Sequence, residues 1–210
     1  MPDTLTYPWP AGRRLLLSDD MTTLDSLATR AGRVGALLVL FAAGVPLDSR
    51  AQVVINEIMY HAPVGGDDLQ YVELHNAGND PVELEGWGFT KGIRFRFPKG
   101  ARIEGQGFLV LCRNEARHKE VFAGAVAGVF TSKLSGKGER IELVDATGRV
   151  VDTVKYRDDA PWPTGADGHS GSLERICPAA ASEDPANWVS SPLTEDREKA
   201  SGTPGRRNAG

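Results

Sequence analysis

The chain has 210 residues, enough for one domain with a real apolar core plus additional segments. Charged residues make up 25% and hydrophobic residues 40%, the balance of a globular chain rather than a disordered one. The formal net charge is −4, and residues 1–51 hold as many acidic as basic side chains, so the remainder carries all of it. An acidic body neutralises phosphates poorly, which argues against nucleic acid as a partner. A local strip of Lys91, Arg94, Arg96, Lys99 and Arg102 reads as solvated charge on strands and turns.

Residues 1–29, with Pro2, Pro8, Pro10 and several aspartates, read as a disordered extension or a mis-assigned start, and Met21 makes the better first residue. Residues 30–51 have the three parts of a secretory signal peptide. Arg30 and Arg33 supply positive charge, Val34–Val45 is uncharged and apolar, and Ser49-Arg50-Ala51 predicts cleavage before Gln52. The apolar run is too short for a bilayer core, which takes about 20 residues. The mature product is therefore expected to be secreted, periplasmic or held at the cell surface, with no membrane span. In such a compartment Cys112 and Cys177, the two cysteines, become candidates for a disulfide; the alternative is two small buried thiols.

From residue 52 onward short apolar runs alternate with turns. Residues 52–60 carry apolar side chains at both parities, as in a strand buried on both sides. Tyr71–His75 is the next strand, and Asn76–Pro81 is a turn. Val82, Leu84, Trp87 and Phe89 follow, and Gly86 and Gly88 beside the Trp predict a bulge or a close backbone approach. Ile93, Phe95 and Phe97 alternate with arginines, a half-exposed strand. Gly107–Cys112 reads as a buried strand, and Asn114 as the N-cap of a helix over residues 115–122. Residues 140–144 and 150–156 form a hairpin about Asp145–Gly148. Residues 157–171 are a long loop, Ser172–Ile176 a last clear strand, and residues 190–210 a polar tail, mobile at its end. About eight short strands and one helix make an all-β chain, and two sheets stacked face to face bury its apolar faces.

Several blocks together resemble the lamin-tail domain family: Val54-Ile55-Asn56-Glu57-Ile58-Met59-Tyr60, Tyr71–Asn76, Val82–Trp87, Phe97-Pro98, Gly107–Leu111, Ile141–Asp145 with Gly148, and Val151–Val154. Ser172–Arg175, Asn187-Trp188 and the closing Gly202-Thr203-Pro204-Gly205-Arg206-Arg207-Asn208 are similar to the bacterial exported type. The resemblance spans residues 52–208 and implies an immunoglobulin-like β-sandwich without a catalytic motif. It implies contacts with proteins, or a place beside secreted hydrolases, nucleases or spore-coat-type kinase domains.

The residues themselves offer little chemistry. His61, His75, His118 and His169 form no i, i+4 ligand pair, and Cys112 and Cys177 sit in apolar strand contexts that disfavour a thiolate. Two acidic groups stand out: Glu57, Asp67, Asp68 and Glu73, and, in the long loop, Asp158, Asp159 and Asp167. Hard oxygen donors on loops suit calcium, although neither group has calcium-loop spacing and turn-forming carboxylates explain both. Glu57, inside an apolar strand, is predicted to pair with an arginine or backbone N–H groups. Trp87 is expected in the core between the sheets. Trp162, stiffened by Pro161 and Pro163, either presents its ring as a contact for protein or glycan or folds back as a lid. The expected function is an exported, non-catalytic module that contacts a protein or a cell-envelope polymer through loops at one end of the sandwich. The alternatives are an accessory domain for a secreted hydrolase or kinase, and a small calcium-dependent hydrolase.

Overall fold

The computed structural model describes residues 52–63, 66–196 and 199–210. The expected extension and signal peptide lie outside the described residues. In chain order the strands are β1 (Val53–Met59), β2 (Tyr71–Asn76), β3 (Val82–Glu83), β4 (Gly88–Lys91), β5 (Arg102–Ile103) and β6 (Phe108–Cys112). Helix α1 (Glu115–Phe122) follows, and then β7 (Gly128–Val129), β8 (Gly138–Val144), β9 (Val150–Arg157), β10 (Leu173–Arg175) and β11 (Trp188–Ser190). A six-stranded sheet runs β11-β10-β1-β2-β6-β7, antiparallel except for β6 with β7. A second sheet runs β4-β8-β9, and β3 pairs with β5.

The expected two-layer arrangement is present. Ile55, Val72, Leu74, Leu109, Leu111 and Leu173 of the large sheet pack in one buried cluster with Ile141, Leu143, Val154 and Tyr156 of the small one. Burial of this apolar area is the main force closing the sandwich. The helix begins and ends as read from sequence: Asn114 Oδ1 accepts from the Arg117 N–H at 3.2 Å. The hairpin also forms, with Gly148 at φ 86° where a side chain would be strained. Beside Trp87, a Cβ on Gly88 would lie 2.8 Å from the Phe95 carbonyl oxygen, and the β4–β8 register shifts between Phe89 and Lys91. Both the close approach and the bulge are therefore real. Residues 93–97 make only a single bridge, Arg96 to Gly88, instead of a strand, although Ile93 and Phe97 are buried.

Three expectations are corrected or refined. First, β1 is buried on both sides as expected, with Met59 on the outer face, but its faces do not follow simple alternation. Its register with β2 slips between Ile55 and Glu57, so Val53 and Ile55 share the core with Ile58 and Tyr60 despite opposite parity. Second, Trp87 is only half-buried and packs against the rim of the core; Tyr60 and Tyr156, 4.6 Å apart, fill the interior with Phe130 and Leu134. Third, Cys112 and Cys177 are free thiols. Cys112 is buried in β6 while Cys177 is exposed after β10.

Candidate functional site

The slip in β1 also decides what the outer face of the six-stranded sheet carries. Past it, Glu57 stands level with Glu73 on β2 and Glu174 on β10, making a row of three carboxylates across adjacent strands. All three are fully buried, because residues 201–210 lie over them as a strap.

The strap is held by donors matched to those oxygens. Glu57 Oε1 accepts from Tyr71 Oη at 2.5 Å, Ser172 Oγ at 2.5 Å and the Thr203 N–H at 2.9 Å. Glu73 accepts from Asn56 Nδ2 at 2.8 Å and the Gly205 N–H at 2.5 Å. Glu174 accepts from Thr203 Oγ1 at 2.8 Å and from the N–H groups of Ala209 and Gly210 at 2.9 and 2.7 Å. Asn208 completes the attachment, donating to the Arg175 carbonyl at 2.7 Å. The tail expected to be mobile is thus fixed, because buried carboxylates need donors and the strap's backbone supplies them. Glu57 meets a backbone N–H as expected, but no arginine.

Desolvation pushes Glu73 up to about 8, with the neighbouring Glu57 charge adding to it, and burial likewise raises Glu57. Burial also holds the Tyr71 phenol well above its ordinary value, so it remains a donor to Glu57. A fourth buried acid, Asp152 on β9, is paired differently. Its Oδ2 takes Arg175 Nη1 at 2.9 Å and the Ile55 N–H at 2.8 Å, tying the two sheets together.

Beside the strap the outer face opens into a cleft of about 280 Å³. Its walls include Asn56, the His75–Phe108 stack (4.4 Å apart, 16° between planes), Gln106, Ile176 and Arg207. The remaining outer face lies under α1, where Met59, Tyr71, Val110 and Cys112 pack with Phe122. His118 of that helix is buried edge-on to Tyr71, and desolvation lowers its affinity for protons.

The residues singled out in the sequence do not gather into a reactive site. Asp158 pairs with Lys137 at 2.8 Å, Asp159 with Arg157 at 2.9 Å and Asp167 with His61 at 2.6 Å, so the calcium candidates are engaged by separate side chains. No group of three or more metal-ligating side chains occurs among the described residues. Asp67 pairs with Lys133 and Arg113 on the surface, far in role from buried Glu57 and Glu73. Trp162 is 4% exposed, with its ring 6.1 Å from Trp188; it folds back as the lid and offers no contact. Stiff flanking prolines fix a loop but leave its direction to packing. In the basic strip, Lys91 and Arg102 are paired with Glu142 and Glu104. His169 is exposed beside an open hollow of about 630 Å³ that has no buried polar side chain in its lining.

Sequence reading missed Glu174, Thr203 and Arg207 as partners in one structure. Their only signal was Glu174 following the core residue Leu173, and a Gly-Thr-Pro-Gly segment able to turn over a surface.

Comparison with known proteins follows this geometry. The family model described as Lamin Tail Domain matches residues 47–158. No curated protein matches the chain. Among solved structures it is similar to a DUF4876 family protein from Bacteroides thetaiotaomicron, at 10% identity and TM-score 0.44 over 68% of each chain.

Proposed function

The chain belongs to the Lamin Tail Domain family, and for this member we propose an exported, non-catalytic binding module that meets a protein or cell-envelope partner at the cleft beside its strap. One observation carries the reading. The buried acidic side chains are engaged in holding strap and sheets together, whereas the cleft keeps an exposed arginine and an exposed isoleucine that the fold does not use. Groups that the fold leaves free on a rigid frame are those available to a partner.

A photo-crosslinking side chain at Ile176, compared with one at Val150 on the exposed start of β9, tests this in native envelope material. The expected result is a discrete adduct from position 176 that disappears in the Arg207→Gln background. No adduct, or the same adduct from position 150, refutes the cleft. Hydrolytic turnover by the purified protein that falls on substituting His61 or Asp167 refutes the non-catalytic half.

A further inference from the structure

We propose that the cleft is an acid-recognising site that receives a carboxylate side chain of a protein partner on Arg207, with an adjacent aliphatic side chain of that partner against Ile176. This deepens the binding-module reading and rests on it.

The chain is net negative, yet no aspartate or glutamate side chain lines the cleft. Of its two arginines, Arg175 is satisfied internally. Asp152 neutralises it, and its N–H groups donate to the carbonyls of Ile55, Cys177, Pro178 and Ala180. Arg207 is exposed and has no hydrogen bond or ion pair among the described residues. Its charge is felt across the cleft, where it adds to desolvation in lowering the proton affinity of His75. A carboxylate matches the two parallel N–H groups of an arginine.

Geometry narrows the ligand. A volume of about 280 Å³ holds one or two side chains. Ile176 is 56% exposed, and with half-buried Pro178 and Phe108 it makes an apolar shelf next to the guanidinium. A single free cation beside aliphatic surface suits an isolated acid with an apolar neighbour. A phosphate polymer draws on several free cations at once, and Arg206 does not line the cleft. The backbone that carries Arg207 is set in advance, because Gly205 and Asn208 on either side are bonded to Glu73 and to the Arg175 carbonyl. Preformed walls lower the entropy lost on binding.

The test is a titration of the full-length protein followed by NMR of the His75 and Phe108 ring signals. The probes are acetyl-Glu-Leu-amide, acetyl-Gln-Leu-amide and inorganic phosphate. The acidic dipeptide is expected to shift both rings and to bind at least about tenfold more tightly than its glutamine counterpart, the order expected for one charge-assisted bidentate pair. Arg207→Gln abolishes that preference, while Arg206→Gln leaves it intact. Equal binding of the two dipeptides, an Arg207→Gln protein that still discriminates, or phosphate binding more tightly than the acidic dipeptide overturns the proposal. So does silence from both dipeptides. If silence is accompanied by a crosslinked partner at position 176, acid recognition alone fails; if crosslinking is also blank, the binding-module reading fails with it.

Discussion

On its inner face the six-stranded sheet turns Ile55, Val72, Leu74 and Leu111 toward the second sheet. On its outer face the same strands turn Glu57, Glu73 and Glu174 toward the chain's own terminal segment. Both faces are buried, but they are closed by different physics. Apolar closure is non-directional and tolerates any well-packed partner. Carboxylate closure depends on donors placed at particular oxygens, so it selects one segment in one register and responds to protons. The difference explains how a polar glycine-rich tail can be as fixed as a strand.

Four substitutions or conditions separate the two modes. The largest effect is expected where they meet. Asp152→Ala leaves the Arg175 guanidinium buried without its counter-charge and should cost about 4 kcal/mol in urea unfolding; a loss below 1 kcal/mol would mean that the pair does not tie the sheets. Leu74→Ala on the inner face should cost about 3 kcal/mol by cavity formation, without selective exposure of the tail. Glu174→Ala on the outer face strands three strap donors and should cost about 2 kcal/mol. Its signature is fast hydrogen exchange at Thr203, Ala209 and Gly210 while the Leu74 amide stays protected. Equal protection at both places would erase the distinction.

The fourth condition is pH. Glu73 binds its proton more tightly folded, at about 8, than at its ordinary 4.5. The folded state therefore holds the extra proton, and this contribution is fully present below pH 4.5 and lost as pH rises toward 8. Thermal stability should fall between pH 5 and pH 8.5, the reverse of the usual carboxylate trend. Glu73→Gln should flatten that slope; an unchanged slope in the variant would remove Glu73 as its source.

Much of the inner face was legible in the chain. The strands β2, β8 and β9, the cap at Asn114 and the hairpin at Gly148 are local signals, and each formed where expected to within two residues, whereas the alternating run 93–97 did not pair as a strand. The two tryptophans were harder. Neighbouring glycines or prolines set the backbone near a ring, but the ring's direction depends on the space left by elements distant in sequence. That is why Trp87 stopped at the rim and Trp162 turned inward.

The sequence by itself determined the all-β class, helix α1 and the family, because these follow from short-range periodicity and from blocks of adjacent residues. Only the tertiary structure decided that Asn56 bulges, that Glu57, Glu73 and Glu174 fall into one row, and that the last ten residues close over them to leave Arg207 free beside a cleft. A one-residue slip reverses which face a side chain occupies. For Glu57, partners such as Ser172 and Thr203, more than a hundred residues away, are chosen by that face and not by any pattern along the chain.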